Sequence, residues 1–96
     1  MNKIKVLIAD DHSMLRHGIR MLLEREPDFE VVAEASDGEE AIMLANKYKP
    51  DVILMDIGMP KISGLEATRQ IKAEHAKTAV LVLTIYDDEE FILEFV

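Results

Sequence analysis

Two apolar runs in the chain each stop on aspartate: Val6-Leu7-Ile8-Ala9 leads into Asp10-Asp11, and Val52-Ile53-Leu54-Met55 leads into Asp56. Runs this continuous leave no wet face, so each reads as a strand buried on both sides, as in a parallel sheet covered by helices. In such a sheet neighbouring strands point the same way. Residues at their carboxyl ends therefore gather on one rim, where open α/β sheets bind ligands. Three carboxylates would meet there. Two unit charges ~4 Å apart repel by roughly 4 kcal/mol at an effective dielectric near 20, so the arrangement calls for a cation.

Size and composition suit one domain spanning 1–96. The 96 residues are 49% hydrophobic and 31% charged, the balance of an ordinary globular domain. The formal net charge of -8 provides no basic stripe to neutralise a phosphate backbone, so direct nucleic-acid binding is not expected. The absence of cysteine removes disulfides and thiolate metal sites and makes a reducing, cytoplasmic setting the simplest expectation. No apolar stretch approaches the ~18 residues of a membrane span, and Met1-Asn2-Lys3-Ile4 leads into a strand rather than a signal peptide, so no membrane association is expected.

Helix and strand patterns alternate along the chain, which favours parallel strands joined by crossover helices. A central strand covers about Lys5 to Ala9. A helix follows from Ser13, with Leu15, Ile19, Leu22 and Leu23 on one face, until Pro27 and Asp28 break it. Glu30 to Ala35 reads as a less buried edge strand. Asp37 and Glu40 have capping-box spacing before a second helix, whose inner face carries Ala41, Ile42, Ala45 and Tyr48 and which ends before Pro50. Asp51 to Met55 is the third strand. After the turn-rich loop 56–64, Ser63 and Glu66 open a third helix with Leu65, Thr68 and Ile71 as inner positions. Thr78 to Thr84 is a fourth strand, and Asp87 with Glu90 is expected to cap a fourth helix carrying Phe91, Ile92 and Phe95.

These motifs together resemble the receiver domain of two-component response regulators. Ile8-Ala9-Asp10-Asp11-His12 is similar to the family's acidic pair, Leu54-Met55-Asp56-Ile57-Gly58-Met59-Pro60 with Gly64 to its phospho-acceptor loop, and Leu83-Thr84 to its switch threonine. The run Leu83 to Glu89 resembles the branch that precedes a LuxR-type helix-turn-helix domain. The resemblance implies a flavodoxin-like three-layer α/β/α fold with strand order 2-1-3-4. It makes Asp56 the acceptor of a phosphoryl group from a sensor histidine kinase, with Mg2+ held by Asp11 and Asp56, by Asp10 through water and by the Gly58 carbonyl. Thr84 would be the hydroxyl that reports the modification. A carboxylate can form an acyl phosphate when the approaching negative charges are screened, and a hard cation that prefers oxygen suits that task. Such a domain is a phosphotransfer substrate that assists its own phosphorylation and dephosphorylation rather than an enzyme, and the intact parent would regulate transcription.

The family's fifth strand, its lysine and its fifth helix would follow the point where this sequence stops, so the resemblance implies a truncated receiver. Lys61, in the acceptor loop, is a substitute cation to look for. A fourth strand left without a neighbour would expose an edge that invites pairing with another chain, hence an expected homo-oligomer or domain swap. The competing functional reading is a switch-incompetent fragment that only self-associates or binds partners. A haloacid-dehalogenase-type phosphatase also uses a strand-end aspartate, but it needs a second acid two residues on, and Gly58 and His12 stand at those places. Taken singly, Asp10 and Asp11 would be a helix N-terminus, Asp56 turn chemistry and Thr84 a strand residue. The three histidines share no ligand spacing, and His12, beside the acid pair, is the one to watch.

Overall fold

A computed structural model describes residues 3–85 and 91–95, with side chains described through Val82. The elements run β1 (Ile4–Ala9), α1 (Ser13–Glu24), β2 (Phe29–Ala35), α2 (Gly38–Tyr48), β3 (Val52–Asp56), α3 (Gly64–Glu74), β4 (Ala79–Ile85) and β5 (Phe91–Phe95). They form one sheet in the order β2-β1-β3-β4-β5. The first four strands are parallel, in the flavodoxin-like 2-1-3-4 order that the sequence implies, with helices flanking them. No helix among the described residues is long and apolar enough to cross a membrane.

Strand alternation sorts the core. Leu7, Ala9, Ile53, Met55, Val80 and Val82 face α2 and α3, packing with Ala41, Ala45, Ala67 and Ile71. Val6, Ile8 and Val31 face the other way, with Ile19 and Leu23 of α1 against them. β1 is buried on both faces from Val6 onward, which is why its sequence has no polar alternation.

Both caps form, but in each the glutamate side chain takes a partner other than the N-cap N–H. Asp37 accepts from the Glu40 N–H at 2.7 Å, but the Glu40 carboxylate reaches back to the Ser36 N–H, also at 2.7 Å. Ser63 accepts from the Glu66 N–H at 3.2 Å, while the Glu66 side chain turns to Arg69 and Gln70. Leu65, expected to face inward, is 57% exposed, and Ala67 takes the buried position instead.

The expected fourth helix is corrected. Its cap, Asp87 with Glu90, lies outside the described residues, but Phe91, Ile92 and Phe95 belong to β5, which pairs antiparallel with β4 from Ile85↔Phe91 to Leu81↔Phe95. Five residues, four of them apolar, do not distinguish helix from strand by period alone, whereas the edge of β4 presents backbone donors and acceptors that a strand can satisfy. Antiparallel pairing follows from the short connection, because a parallel return needs a crossover of a dozen or more residues. The sheet therefore has a fifth strand, and β4 is paired on both sides, by β3 and β5. The open β4 edge on which the expected self-association rested is not present.

Candidate functional site

Parallel pairing of β1 with β3, with Ala9 opposite Met55, brings their carboxyl ends side by side. Asp10 is 1% exposed and Asp56 is 7% exposed, so both carboxylates sit in the rim rather than on it. Ligand atoms of Asp10, Asp11, His12 and Asp56 all lie within 4.8 Å of one another. The Asp10 N–H donates to the Ala35 carbonyl of β2 at 3.0 Å, and one Asp10 carboxylate oxygen accepts from both the His12 N–H at 2.8 Å and His12 Nδ1 at 2.9 Å. His12 Nδ1 also stands 3.2 Å from Asp11 and 3.9 Å from Asp56. With its proton on Nδ1, His12 donates to the Asp10 carboxylate oxygen.

Burial and neighbouring charge shift two groups of the cluster in the same direction. Burial, before any other cause, pushes the Asp56 carboxyl up from its ordinary value; the Gly58 N–H, donating at 3.3 Å, opposes this, and the charges of Asp10 and Asp11 add to it. The hydrogen bond to Asp10, then the Asp11 charge, raises the His12 imidazole. Burial strips water from a carboxylate and so disfavours its charge, while a neighbouring anion favours an imidazolium.

The loop after Asp56 is fitted against two helix starts. A Cβ on Gly64 would fall 2.0 Å from the Asp56 carbonyl oxygen, and one on Gly38 would fall 2.0 Å from that of Ile62. Only glycine permits such backbone contacts. The Gly64 N–H donates to the Ile57 carbonyl at 2.8 Å, Thr68 Oγ1 donates to the Gly64 carbonyl at 2.7 Å, and Met59 is buried in the core. These contacts fix Asp56 from the helix side as β3 fixes it from the strand side.

Among the sequence-predicted site residues, Asp10, Asp11 and Asp56 converge and Gly58 lies beside Asp56. Thr84 stands in β4 one position past Leu83, the register partner of Asp56; its side chain lies outside the described part. Lys61 does not enter the cluster: its Nζ stands 3.6 Å from Asp37, with its backbone at φ 67°. Two residues join the site from outside that set. His12 is one. The other is Arg16, whose Nη1 donates to the Asp10 carbonyl at 2.7 Å; the signal for it was Arg16 and Arg20, one helical turn apart, with an acid, Glu34, in the strand that follows.

The donors suit a hard divalent cation. Three clustered carboxylates offer oxygen ligands without thiolate, the set that Mg2+ takes and that softer metals do not require.

A parallel α/β sheet with an acid pair after the first strand and a single acid after the third defines the class, a receiver domain, and residues 6–96 match the family model described as response regulator receiver domain. The chain belongs to that family. It is 53% identical over 91 residues to the transcriptional regulatory protein DegU of Brevibacillus brevis, covering 95% of this chain and 39% of DegU. With the oxygen regulatory protein NreC of Staphylococcus aureus it is 49% identical over 90 residues, 93% of this chain and 42% of NreC. A LuxR-family response regulator from Aurantimonas superposes with a TM-score of 0.82 at 37% identity, over 90% of this chain and 61% of that one. The chain thus spans about two fifths of the length of those two sequence relatives, and its branch is the LuxR type that the run after Leu83 resembles. Receivers of this family are signal transducers that interact with sensor histidine kinases.

Proposed function

We propose that Asp56 is the residue through which this receiver, acting in the cytoplasm, takes up its signal, accepting a phosphoryl group from a phosphohistidine of a sensor histidine kinase. The observation that carries the reading is the convergence of buried Asp56 with Asp10 and Asp11 at the carboxyl ends of adjacent parallel strands. An Asp56 carboxylate oxygen forms the new bond to phosphorus as the P–N bond breaks, and the electron pair leaves with the imidazole nitrogen. Asp11, Asp56 and the Gly58 carbonyl would hold Mg2+ directly, with Asp10 acting through water. Bound there, Mg2+ supplies the positive charge that offsets the carboxylates and the incoming phosphoryl oxygens. The Gly58 N–H and the packed Gly64 contact hold the nucleophile in place during attack.

Thr84 is the candidate for reading the modified state, since the phosphoryl group adds roughly -1.5 to -2 charge and new acceptor oxygens one strand away. The domain is a phosphotransfer substrate that assists its own phosphorylation and dephosphorylation. In the longer proteins it resembles, whose names are those of transcriptional and oxygen regulators, the same event would control an output domain that binds DNA.

The test is incubation of the chain with Mg2+ and a small-molecule phosphodonor followed by mass spectrometry. A phosphoryl adduct is expected that needs Mg2+ and that Asp56→Asn abolishes. An adduct that persists in Asp56→Asn refutes the assignment.

A further inference from the structure

Asp11 depends on its backbone for its direction. Asp10 is tied down by its own N–H and by its carboxylate, whereas the side chain of Asp11 is one-third exposed. The peptide joining Asp10 to Asp11 is planar, so a bond to the Asp10 carbonyl also fixes the Asp11 N–H and the N–Cα bond, and with them the place from which the Asp11 side chain departs. Arg16 Nη1 makes that bond, at 2.7 Å.

The guanidinium is itself aimed. Arg16 Nε donates to one oxygen of Glu34 at 2.8 Å, and Arg20 Nη1 donates to the other. Arg16 and Glu34 are 19% and 23% exposed in their side chains, well shielded for charged groups. Glu34 reaches this face through an irregularity in β2. The register steps from Val6↔Val31 to Leu7↔Ala33, leaving Val32 as an extra residue. Strict alternation would put Glu34 on the face opposite Val31, but the bulge reverses the parity and turns Glu34 toward α1. Val31 packs on the α1 side and Ala33 and Ala35 on the other, as that reversal requires. A bulge that re-aims one acid onto a helix whose arginine grips the carbonyl beside the acid pair is a specific arrangement. Carboxylate pairing elsewhere on α1 would have sufficed to hold the helix.

We propose that Arg16, aimed by Glu34, is a positioning residue that sets the Asp10–Asp11 peptide so that the two carboxylates converge with Asp56, and that it thereby sets the affinity of the site for a divalent cation. The inference rests on the metal-dependent acceptor reading above. Partners that orient metal ligands typically change affinity by about 10- to 100-fold when removed. Arg16 touches no reacting atom, so its loss weakens cation binding without removing the chemistry.

Mn2+ is the probe, with free ion counted by its electron paramagnetic resonance signal and unfolding followed in parallel without metal. Arg16→Gln is expected to raise the Mn2+ Kd about 10- to 100-fold, and its slow phosphoryl acceptance should return to the wild-type rate at saturating Mg2+. Glu34→Gln, which leaves the arginine present but unaimed, should weaken Mn2+ by a smaller factor, and Arg16→Lys, with one compact donor group, should restore part of the affinity. Should Arg16→Gln fail to fold, Glu34→Gln and Arg16→Lys carry the test. An unchanged Mn2+ Kd with only a lowered Tm overturns the proposal, as does a rate deficit that excess Mg2+ leaves in place. A wild-type chain that does not bind Mn2+ overturns the metal site itself, a failure distinct from a wild type that binds and variants that match it.

Discussion

Among the described residues, the core cluster between the sheet and α2 and α3 holds twelve buried residues, and the one between the sheet and α1 holds three. α1 itself has no fully buried residue, and Met14, Met21 and Leu22 are 88%, 56% and 63% exposed. The two faces support different parts of the site. The acceptor loop hangs from the dense face through Met59, Gly38 and Gly64, while the acid pair adjoins the thin face and is held by Arg16, Glu34 and hydrogen bonds from His12. Packing fixes Asp56, and directional polar contacts fix its neighbours.

The widest contrast should come from truncating one apolar residue on each face. Ile71→Ala on the dense face is expected to cost about 2–5 kcal/mol, the usual range for a fully buried isoleucine. Ile19→Ala on α1, only half-buried, should cost roughly 1–2 kcal/mol. Urea unfolding of both variants measures the gap, and equal losses would erase the distinction between the faces.

Next in size is Gly64→Ala, which forces a backbone contact apart and should cost about 1–3 kcal/mol. Because the atom displaced is the Asp56 carbonyl oxygen, phosphoryl acceptance should fall more than stability does; rate and denaturant midpoint measured on the same sample separate the two. Asp37→Ala removes the N-cap of α2 and should cost about 1 kcal/mol, with little change in acceptance because the dense core retains the helix.

The smallest effect belongs to the thin face and varies with pH. Arg20 first, and Arg16 after it, hold the Glu34 carboxyl below its ordinary value. A carboxyl depressed in the folded state contributes stability above its unfolded pKa, here 4.5, and loses it as pH falls through the folded value. Glu34→Gln should therefore be less stable than wild type near neutral pH, by about 1 kcal/mol at most for a partly exposed pair, and the difference should close as pH falls below 4.5 and through the depressed folded value. Melting curves across that range check the sign, and a gap that widens in acid would contradict it.

Much of this was legible in the sequence because the signals were local. Unbroken apolar runs marked β1 and β3 as central, Asp37 and Ser63 marked helix starts, and three strand-end acids marked the rim. What was not legible depended on contacts between distant segments. Phe91 to Phe95 carried a short pattern that period alone could not assign, and the edge of β4 decided it. Lys61 lay in the loop of the acceptor, yet its backbone conformation sends it to Asp37. Glu34 looked like the polar member of an alternating strand; the bulge at Val32, visible only once β2 is paired with β1, turned it toward Arg16.

The two glycine contacts also gauge length. With the Asp56 carbonyl seated on Gly64 at one end and the Ile62 carbonyl seated on Gly38 at the other, the span between β3 and α3 is measured against two fixed stops. An added residue would have to bulge outward at an exposed position such as Gly58, Pro60 or Lys61, so changes of sequence at Pro60 and Lys61 are tolerable where changes of residue count are not.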